Sequence, residues 1–243
     1  MTTELVKKEE TGVALTNQQM GVEDLLSSDI KIPRALLMQK MSEFVDKEKA
    51  KPGQIVGSLE CNVLGGVDKE FLFVPLYIFN TWVESENDKY KATLPRTRAN
   101  ENLPFEEMSA GGVKITRTKS INVFCMALSE LESGEALPYQ ISFRRTSFDA
   151  GRTLITLITK LLMFKKPIYN YVFSISSNRQ ENDKGVFYTF DVSRAKKEGA
   201  DMKLDPKYFD TCNFWTEQVQ TNKVVVDEEP KEKINASIED APF

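Results

Sequence analysis

Histidine is absent from all 243 residues of the chain. That absence excludes Ser-His-Asp and Cys-His nucleophilic catalysis, His-x-Glu deaminase centres, His-Glu-x-x-His metalloprotease sites and histidine proton shuttling. Cysteine is scarce. Cys61, Cys125 and Cys212 are far apart and odd in number, so they suggest neither a zinc-ligand cluster nor a disulfide framework and read as reduced thiols. No run of roughly eighteen uncharged apolar residues exists, the length a membrane-crossing helix requires. Met1 to Glu10 has no apolar signal-peptide core, so cytoplasmic residence is the expectation. There is no Gly-x-x-x-x-Gly-Lys-Ser/Thr phosphate loop and no Gly-x-Gly-x-x-Gly turn. Acids such as Glu106 and Glu107 are too scattered to nominate a two-metal centre. The expectation is a protein that is not an enzyme and uses no cofactor or metal.

What the chain does have is charge of both signs, unevenly placed. The formal net charge is −4. From Asp227 onward six acids face only Lys231 and Lys233, whereas from Arg144 to Arg179 the balance reverses. There Arg144, Arg145, Arg152, Lys160, Lys165, Lys166 and Arg179 face Asp149 alone. Local field governs the binding of a polyanion more than total charge does. An acidic tail on such a body can also compete with nucleic acid for the basic region.

Organisation follows from pattern. Residues 1–29 are polar and read as a flexible arm, with a short helix near Val22 to Leu26. Order is expected from Ile30 to Gln39, with Pro33 at a strand start or edge. Gln54 to Leu64 reads as one strand placing Ile55, Leu59, Cys61 and Val63 on a face, with Gly57 as a bend. Phe71 to Val83 reads as a long strand bent at Pro75. Residues 84–112 read as the longest irregular segment, of the kind that is more often functional than idle. Val113 to Leu128 and Tyr139 to Phe148 are strands. Asp149 to Phe164 is the best helix, because Leu154, Leu157, Ile158 and Leu161 recur at i, i+3, i+4 and i+7. Asp149 is its expected N-cap, and Pro167 prevents continuation. Ile168 to Ser177 and Val186 to Ser193 are strands flanking a polar turn, and Asp205 to Thr221 is a final helix. Six or seven strands with one strong helix indicate a mainly β (α+β) fold, an OB-fold-like barrel with a β-sandwich as the competitor. Residues 30–221 form one domain, and 222–243 are expected to be a disordered acidic tail.

Single-stranded nucleic acid needs cations along its phosphate path and flat side chains under its bases, and stacking contributes roughly 1–3 kcal/mol per base whatever the sequence. Tyr139 to Arg194 interleaves the two. Tyr169, Tyr171 and Phe173 alternate, so their rings are expected on one face. Phe143, Phe173 and Phe190 read as core. Tyr169, Tyr171 and Tyr188 carry hydroxyls that favour contact with water and are the better stacking candidates, together with Trp82 at a strand end. Arg144 and Arg145 point to opposite faces, so at least one is expected on phosphate. Lys160, Lys165, Lys166 and Arg179 complete the DNA-binding set, although helix C-terminal charge accounts slightly better for Lys165 and Lys166 than a DNA contact does. The tip Glu239-Asp240-Ala241-Pro242-Phe243 places acids before a terminal ring and reads as a docking hook, with Glu239, Asp240, Pro242 and Phe243 as partner-binding residues.

Taken together the chain resembles the single-stranded DNA-binding proteins of tailed bacteriophages. The resemblance covers residues 30–195 and the tip. It rests on Ile32-Pro33-Arg34-Ala35-Leu36-Leu37-Met38-Gln39, Lys51-Pro52-Gly53 and Phe73-Val74-Pro75-Leu76 with Trp82 downstream. It continues through Pro138-Tyr139-Gln140-Ile141-Ser142-Phe143, Lys166-Pro167-Ile168-Tyr169 and Asn182-Asp183-Lys184-Gly185 before Phe187-Tyr188. It implies an OB-fold that coats single-stranded DNA in replication, recombination or repair and recruits replication or recombination proteins through its tip. The tip has one Glu and one Asp where that family carries a denser acidic cluster, and no zinc ligand set is present. Rival readings are a strand-annealing or recombination-mediator protein, and a phage structural or interaction protein that binds no DNA.

Overall fold

The structure is a computed structural model and describes residues 31–87, 89–109, 111–135, 137–163, 165–183, 185–221 and 225–226. The expected N-terminal arm, and the expected tail apart from Val225 and Val226, lie outside the described residues. The body opens with strands β1 (Lys31–Ile32) and β2 (Arg34–Leu37) on either side of Pro33, a one-turn helix α1 (Glu43–Asp46), and strands β3 (Ile55–Gly57) and β4 (Val63–Gly65). The long strand β5 (Phe71–Glu86) leads to β6 (Lys89–Pro95), β7 (Glu106–Met108) and the equally long β8 (Lys114–Ala127). Helix α2 (Leu128–Ser133), strand β9 (Pro138–Arg144) and helix α3 (Phe148–Leu162) follow. The chain continues through β10 (Phe173–Asn182), β11 (Gly185–Arg194), the small hairpin β12 (Lys196–Lys197) and β13 (Ala200–Asp201), helix α4 (Phe209–Gln220) and β14 (Val225–Val226).

The fold is mainly β. The main sheet runs β11-β10-β5-β8-β9-β2-β3-β4, with β6 on the far half of β5 and β7 on the far half of β8. β2 lies parallel to β9, and the other pairs along this path are antiparallel. The sheet curls into a half-barrel whose ends meet. Ser177 N donates to Gly66 O at 3.1 Å, and the Gln39 amide exchanges two hydrogen bonds with the Tyr188 backbone at 2.8 and 2.9 Å. A side chain thereby substitutes for a missing ladder between β2 and β11. Gly53 lies under the Tyr188 ring, where a Cβ would fall 2.6 Å from Cε1, and its φ of +84° suits glycine alone.

Two apolar layers result. Inside the curl Phe73, Ile121, Val123, Ile141, Phe143, Phe173 and Ile175 meet Leu154, Ile158 and Leu161 of α3, the apolar face that the helical spacing predicts. Outside it Val74, Leu76, Phe124 and Met126 pack with Cys212 and Val219 of α4. Asp205 accepts from Lys207 N at 3.1 Å and Pro206 opens a 3-10 turn, so α4 starts at Phe209.

Several expectations need correction. The stretch Gln54 to Leu64 is two strands joined by a turn in which Cys61 has φ +57°, and Leu59 and Val63 are exposed rather than on a shared buried face. Residues 84–112 are not irregular throughout: β5 runs on to Glu86, and β6 and β7 flank the β5–β8 ribbon to form an arm. Ser147, not Asp149, is the cap residue of α3, with Asp149 in the first turn. Ile168–Asn170 is a 3-10 turn, so β10 starts only at Phe173. Val225–Val226 pairs in parallel with Lys31–Ile32, so sheet pairing reaches past residue 221.

Candidate nucleic-acid interface

One irregularity decides which rings face outward. Along β5, Phe71 and Phe73 point into the curl, and strict alternation would send Tyr77 and Phe79 after them. The register with β8 slips between Pro75 and Tyr77. This bulge reverses the phase, so Ile78, Asn80 and Trp82 take the inner side and Tyr77 and Phe79 the outer. Trp82 is fully buried as a result. Its Nε1 donates to Asn100 O at 3.0 Å, the Phe105 ring meets it edge-on at 5.9 Å, and Lys119 Nζ sits 5.4 Å from its centroid. The expectation that Trp82 stacks on bases is therefore corrected: it anchors the connection between β6 and β7.

The outer face is built in rows, because directly opposed residues share a side. Tyr77, Phe124, Gln140 and Arg34 form one row across β5, β8, β9 and β2. Phe79, Asn122 and Ser142 form the next, and Thr81, Ser120 and Arg144 the third. The Tyr77 and Phe79 rings stack at 5.9 Å and the Phe79 and Phe124 rings at 5.5 Å. Asn122 organises the centre. Its amide donates to Thr81 Oγ1 at 2.9 Å, while its Oδ1 accepts from Ser142, Ser120 and Gln140 at 2.8, 3.2 and 3.3 Å. Thr81, Ser120, Asn122, Phe124 and Gln140 are buried; Arg34, Tyr77, Phe79, Ser142 and Arg144 are partly exposed. The sequence reading missed Arg34, Tyr77, Phe79 and Phe124 as site residues, since they lie in runs that read as core strands. Pro75 inside such a run was the available signal of a bulge.

The expected site residues scatter around this face. Arg144 ends β9 on the outer side, and Arg145 next to it is exposed with φ +48°. Lys160, Lys165 and Lys166 are exposed at the far end of α3. Tyr169 does not share a face with Tyr171 and Phe173, because the 3-10 turn breaks the alternation. It packs edge-on against Phe209 at 5.5 Å, its hydroxyl donates to Asn213 Oδ1, and burial raises its pKa. This fits a packing role under α4. Tyr171 is half-buried between Lys166 Nζ at 5.8 Å and Arg194 Cζ at 5.9 Å. Arg179 is exposed and pairs with Glu181 at 3.0 Å, opposite Tyr188, whose ring covers Gly53. Glu239, Asp240, Pro242 and Phe243 lie outside the described residues.

A family model described as Pam3 phage gp34-like protein matches residues 7–224. The chain belongs to this phage protein family. Searches of curated proteins and of solved structures return no match.

In this gp34-like chain the arm is secured by charge as well as by Trp82. Arg117 Nε donates to Glu84 Oε1 at 2.5 Å, Nη2 to Glu107 Oε1 at 2.6 Å and Nη1 to Pro104 O at 3.2 Å. The Arg117 hydrogen bond holds the Glu107 carboxyl below its usual pKa, and both carboxylates keep the guanidinium protonated. Burial pushes the Cys212 thiol up to about 12 and raises Cys125 further, which suits inert thiols rather than nucleophiles. Among the described residues no group of three or more Cys, Asp or Glu side chains is placed to hold a metal, and no helix is long and apolar enough to cross a membrane.

Proposed function

We propose that this phage protein is a sequence-tolerant, non-enzymatic single-stranded DNA-binding protein acting in replication, recombination or repair in the host cytoplasm. Strand order carries the reading. With β2-β3-β4, which precede β5 in the chain, set aside, the sheet runs β9-β8-β5-β10-β11 and α3 connects β9 to β10. This order supports an OB-fold reading in which β5, β8, β9, β10 and β11 serve as strands one to five, with β2 beside the third. OB-folds receive oligonucleotides on the face of their second and third strands.

Here that face belongs to β8 and β9. Tyr77 and Phe79 offer partly exposed rings beside it, and Arg34, Arg144 and Arg145 supply cations along one edge. Because Asn122 Oδ1 already accepts three hydrogen bonds within the protein, the amides at the centre are occupied and read no base edges. That arrangement favours stacking and phosphate contact over sequence readout.

Titration of a labelled oligo-dT with the full chain at about 50 and 200 mM salt tests the reading; binding that falls steeply with salt is expected from counterion release. Replacing Arg144 with Glu should weaken binding at both salts. No binding at the lower salt refutes the function. Recruitment of replication or recombination proteins is assigned to Glu239, Asp240, Pro242 and Phe243 from sequence. Partner capture that survives removal of residues 239–243 would overturn that assignment.

A further inference from the structure

Apart from Arg179, which pairs with Glu181 on β10, the cations expected to bind DNA fall into two groups separated by α3. Arg144 and Arg145 precede its first turn, whereas Lys160, Lys165 and Lys166 lie at its end. Fifteen helical residues at 1.5 Å each span about 22 Å. The far group does not stand alone. Arg194 Nη2 donates to Leu157 O at 3.2 Å and its Nη1 pairs with Asp201 at 2.6 Å, which fastens the β12–β13 hairpin beside the helix end. Tyr171 joins the same place, held between Lys166 and Arg194 and bridged to Lys203. Lys196, Lys197 and Lys203 of the hairpin region are exposed, as are Lys160 in the last turn of α3 and Lys165 and Lys166 just past it. None of these six makes an ion pair among the described residues. Of the nearby acids, Asp201 is engaged by Arg194 and Asp205 by Lys207, while Glu198 and Glu132, which line one cleft with Lys197 and Lys203, stand against the six. This surface shares no side chain with the rows of the β8–β9 face, and its hairpin side lines a cleft with Leu128 and Glu132 of α2, just past the end of β8.

We propose that this lysine surface is a second binding site for single-stranded nucleic-acid backbone, so that one chain holds two strand segments. The proposal rests on the single-stranded DNA reading of the β8–β9 face. Lysine is a rotatable point charge without the fixed fork of arginine, which suits a phosphate path of variable geometry. The half-exposed Tyr171 ring, and Leu162 and Met163 at 50% and 78% exposure, provide flat or apolar surface for the attached bases. A chain that holds two segments brings complementary strands together, which is the chemistry of annealing.

The test uses the full chain, an oligo-dT carrying a donor dye and an oligo-dT carrying an acceptor dye. Energy transfer in a complex that sediments with one protein chain reports two segments on one chain. The variant Lys165→Gln/Lys166→Gln/Lys197→Gln, altered only at exposed positions, should bind the first oligonucleotide within about threefold of the parent, since distant sites act independently. It should lose the energy transfer and anneal complementary strands at least about tenfold more slowly, with a shallower salt dependence. Energy transfer unchanged by the variant overturns the proposal. So does a loss of first-oligonucleotide affinity equal to that of Arg144→Glu, which would mean a single continuous site. If a decaglutamate peptide binds the parent but not the variant while transfer persists, the lysines serve an acidic protein instead. Failure of the parent to bind either oligonucleotide at low salt refutes the single-stranded DNA function itself, whereas binding of one without transfer refutes only the second site.

Discussion

Replacing Gly151 with alanine should destabilise the protein, against the usual direction for a helical glycine. A Cβ at this position in α3 would lie 2.7 Å from Phe143 Cβ, 3.0 Å from Phe143 Cγ and 3.1 Å from Ile121 Cδ1. Helix and strand would have to separate by roughly 0.7 Å to restore an ordinary contact. The nearest approach is Cβ to Cβ, so no rotamer of Phe143 relieves it. Nor can α3 lift away freely, because Leu154, Ile158 and Leu161 are buried beneath it and each contributes about 1.5–3 kcal/mol. Gly→Ala in an open helix gains about 1 kcal/mol. Overpacking costs about 1–3 kcal/mol, and a contact that no side-chain rotation relieves belongs at the upper end. The net expectation is a loss of about 2 kcal/mol, a large fraction of the ~5–15 kcal/mol that holds a typical domain. Guanidinium unfolding followed by circular dichroism measures it as a lower midpoint at unchanged slope. Thr153→Ala, exposed on the same helix, serves as the propensity control and should gain a few tenths of a kcal/mol. A Gly151→Ala protein as stable as the parent, or more stable, would refute the packing argument.

Two other perturbations follow from the charged groups. Arg117→Met removes the partner of Glu84, whose side chain is 10% exposed, and should cost about 3–5 kcal/mol with faster hydrogen exchange in β6 and β7. Pairing it with Glu84→Leu should recover most of that loss, and a double variant no more stable than the single would count against a buried-charge origin. Glu130 accepts from the Tyr139 hydroxyl, yet burial, reinforced by Glu60 and Glu135, holds its pKa above the unfolded value of 4.5. The native state therefore binds more protons than the unfolded one, and this contribution to stability is lost as pH rises from about 4.5 through the folded pKa. Glu130→Gln keeps the acceptor and should flatten that slope in unfolding measured from pH 4 to 7; an unchanged slope would refute the assignment.

The elements most legible in the sequence were those whose period is local. The apolar spacing of Leu154, Leu157, Ile158 and Leu161 gave α3 its face, and the β-branched runs gave the cores of β5, β8, β9 and β11. Hydrogen-bonding partners are non-local, and the expectations failed where they decide the outcome. Residues 84–112 are polar enough to read as a loop, but Trp82, Arg117 and the β5–β8 ribbon supply pairing edges and a buried anchor that make strands of Lys89–Pro95 and Glu106–Met108. Tyr169, Tyr171 and Phe173 alternate on paper, yet a 3-10 turn after Pro167 rotates Tyr169 into the α4 layer.

The loss of Trp82 and the gain of Tyr77 and Phe79 as surface candidates are one event. A single extra residue after Pro75 exchanges the two faces of everything downstream in β5, so a reading that alternates correctly from Phe71 to Pro75 is wrong about every ring beyond it. Composition cannot reveal that exchange, because the bulged and unbulged strands have the same residues. The proline carries a hint, since it lacks the N–H that a regular ladder position would use. The exchange also joins two jobs in one strand. The same phase shift that buries Trp82 under Asn100 and Phe105, fixing the arm, turns Tyr77 and Phe79 outward beside Phe124, in the rows that end at Arg34 and Ser142. Arm stability and the ring platform are therefore coupled through Pro75 and Leu76, and a substitution that restored regular alternation there would disturb both together.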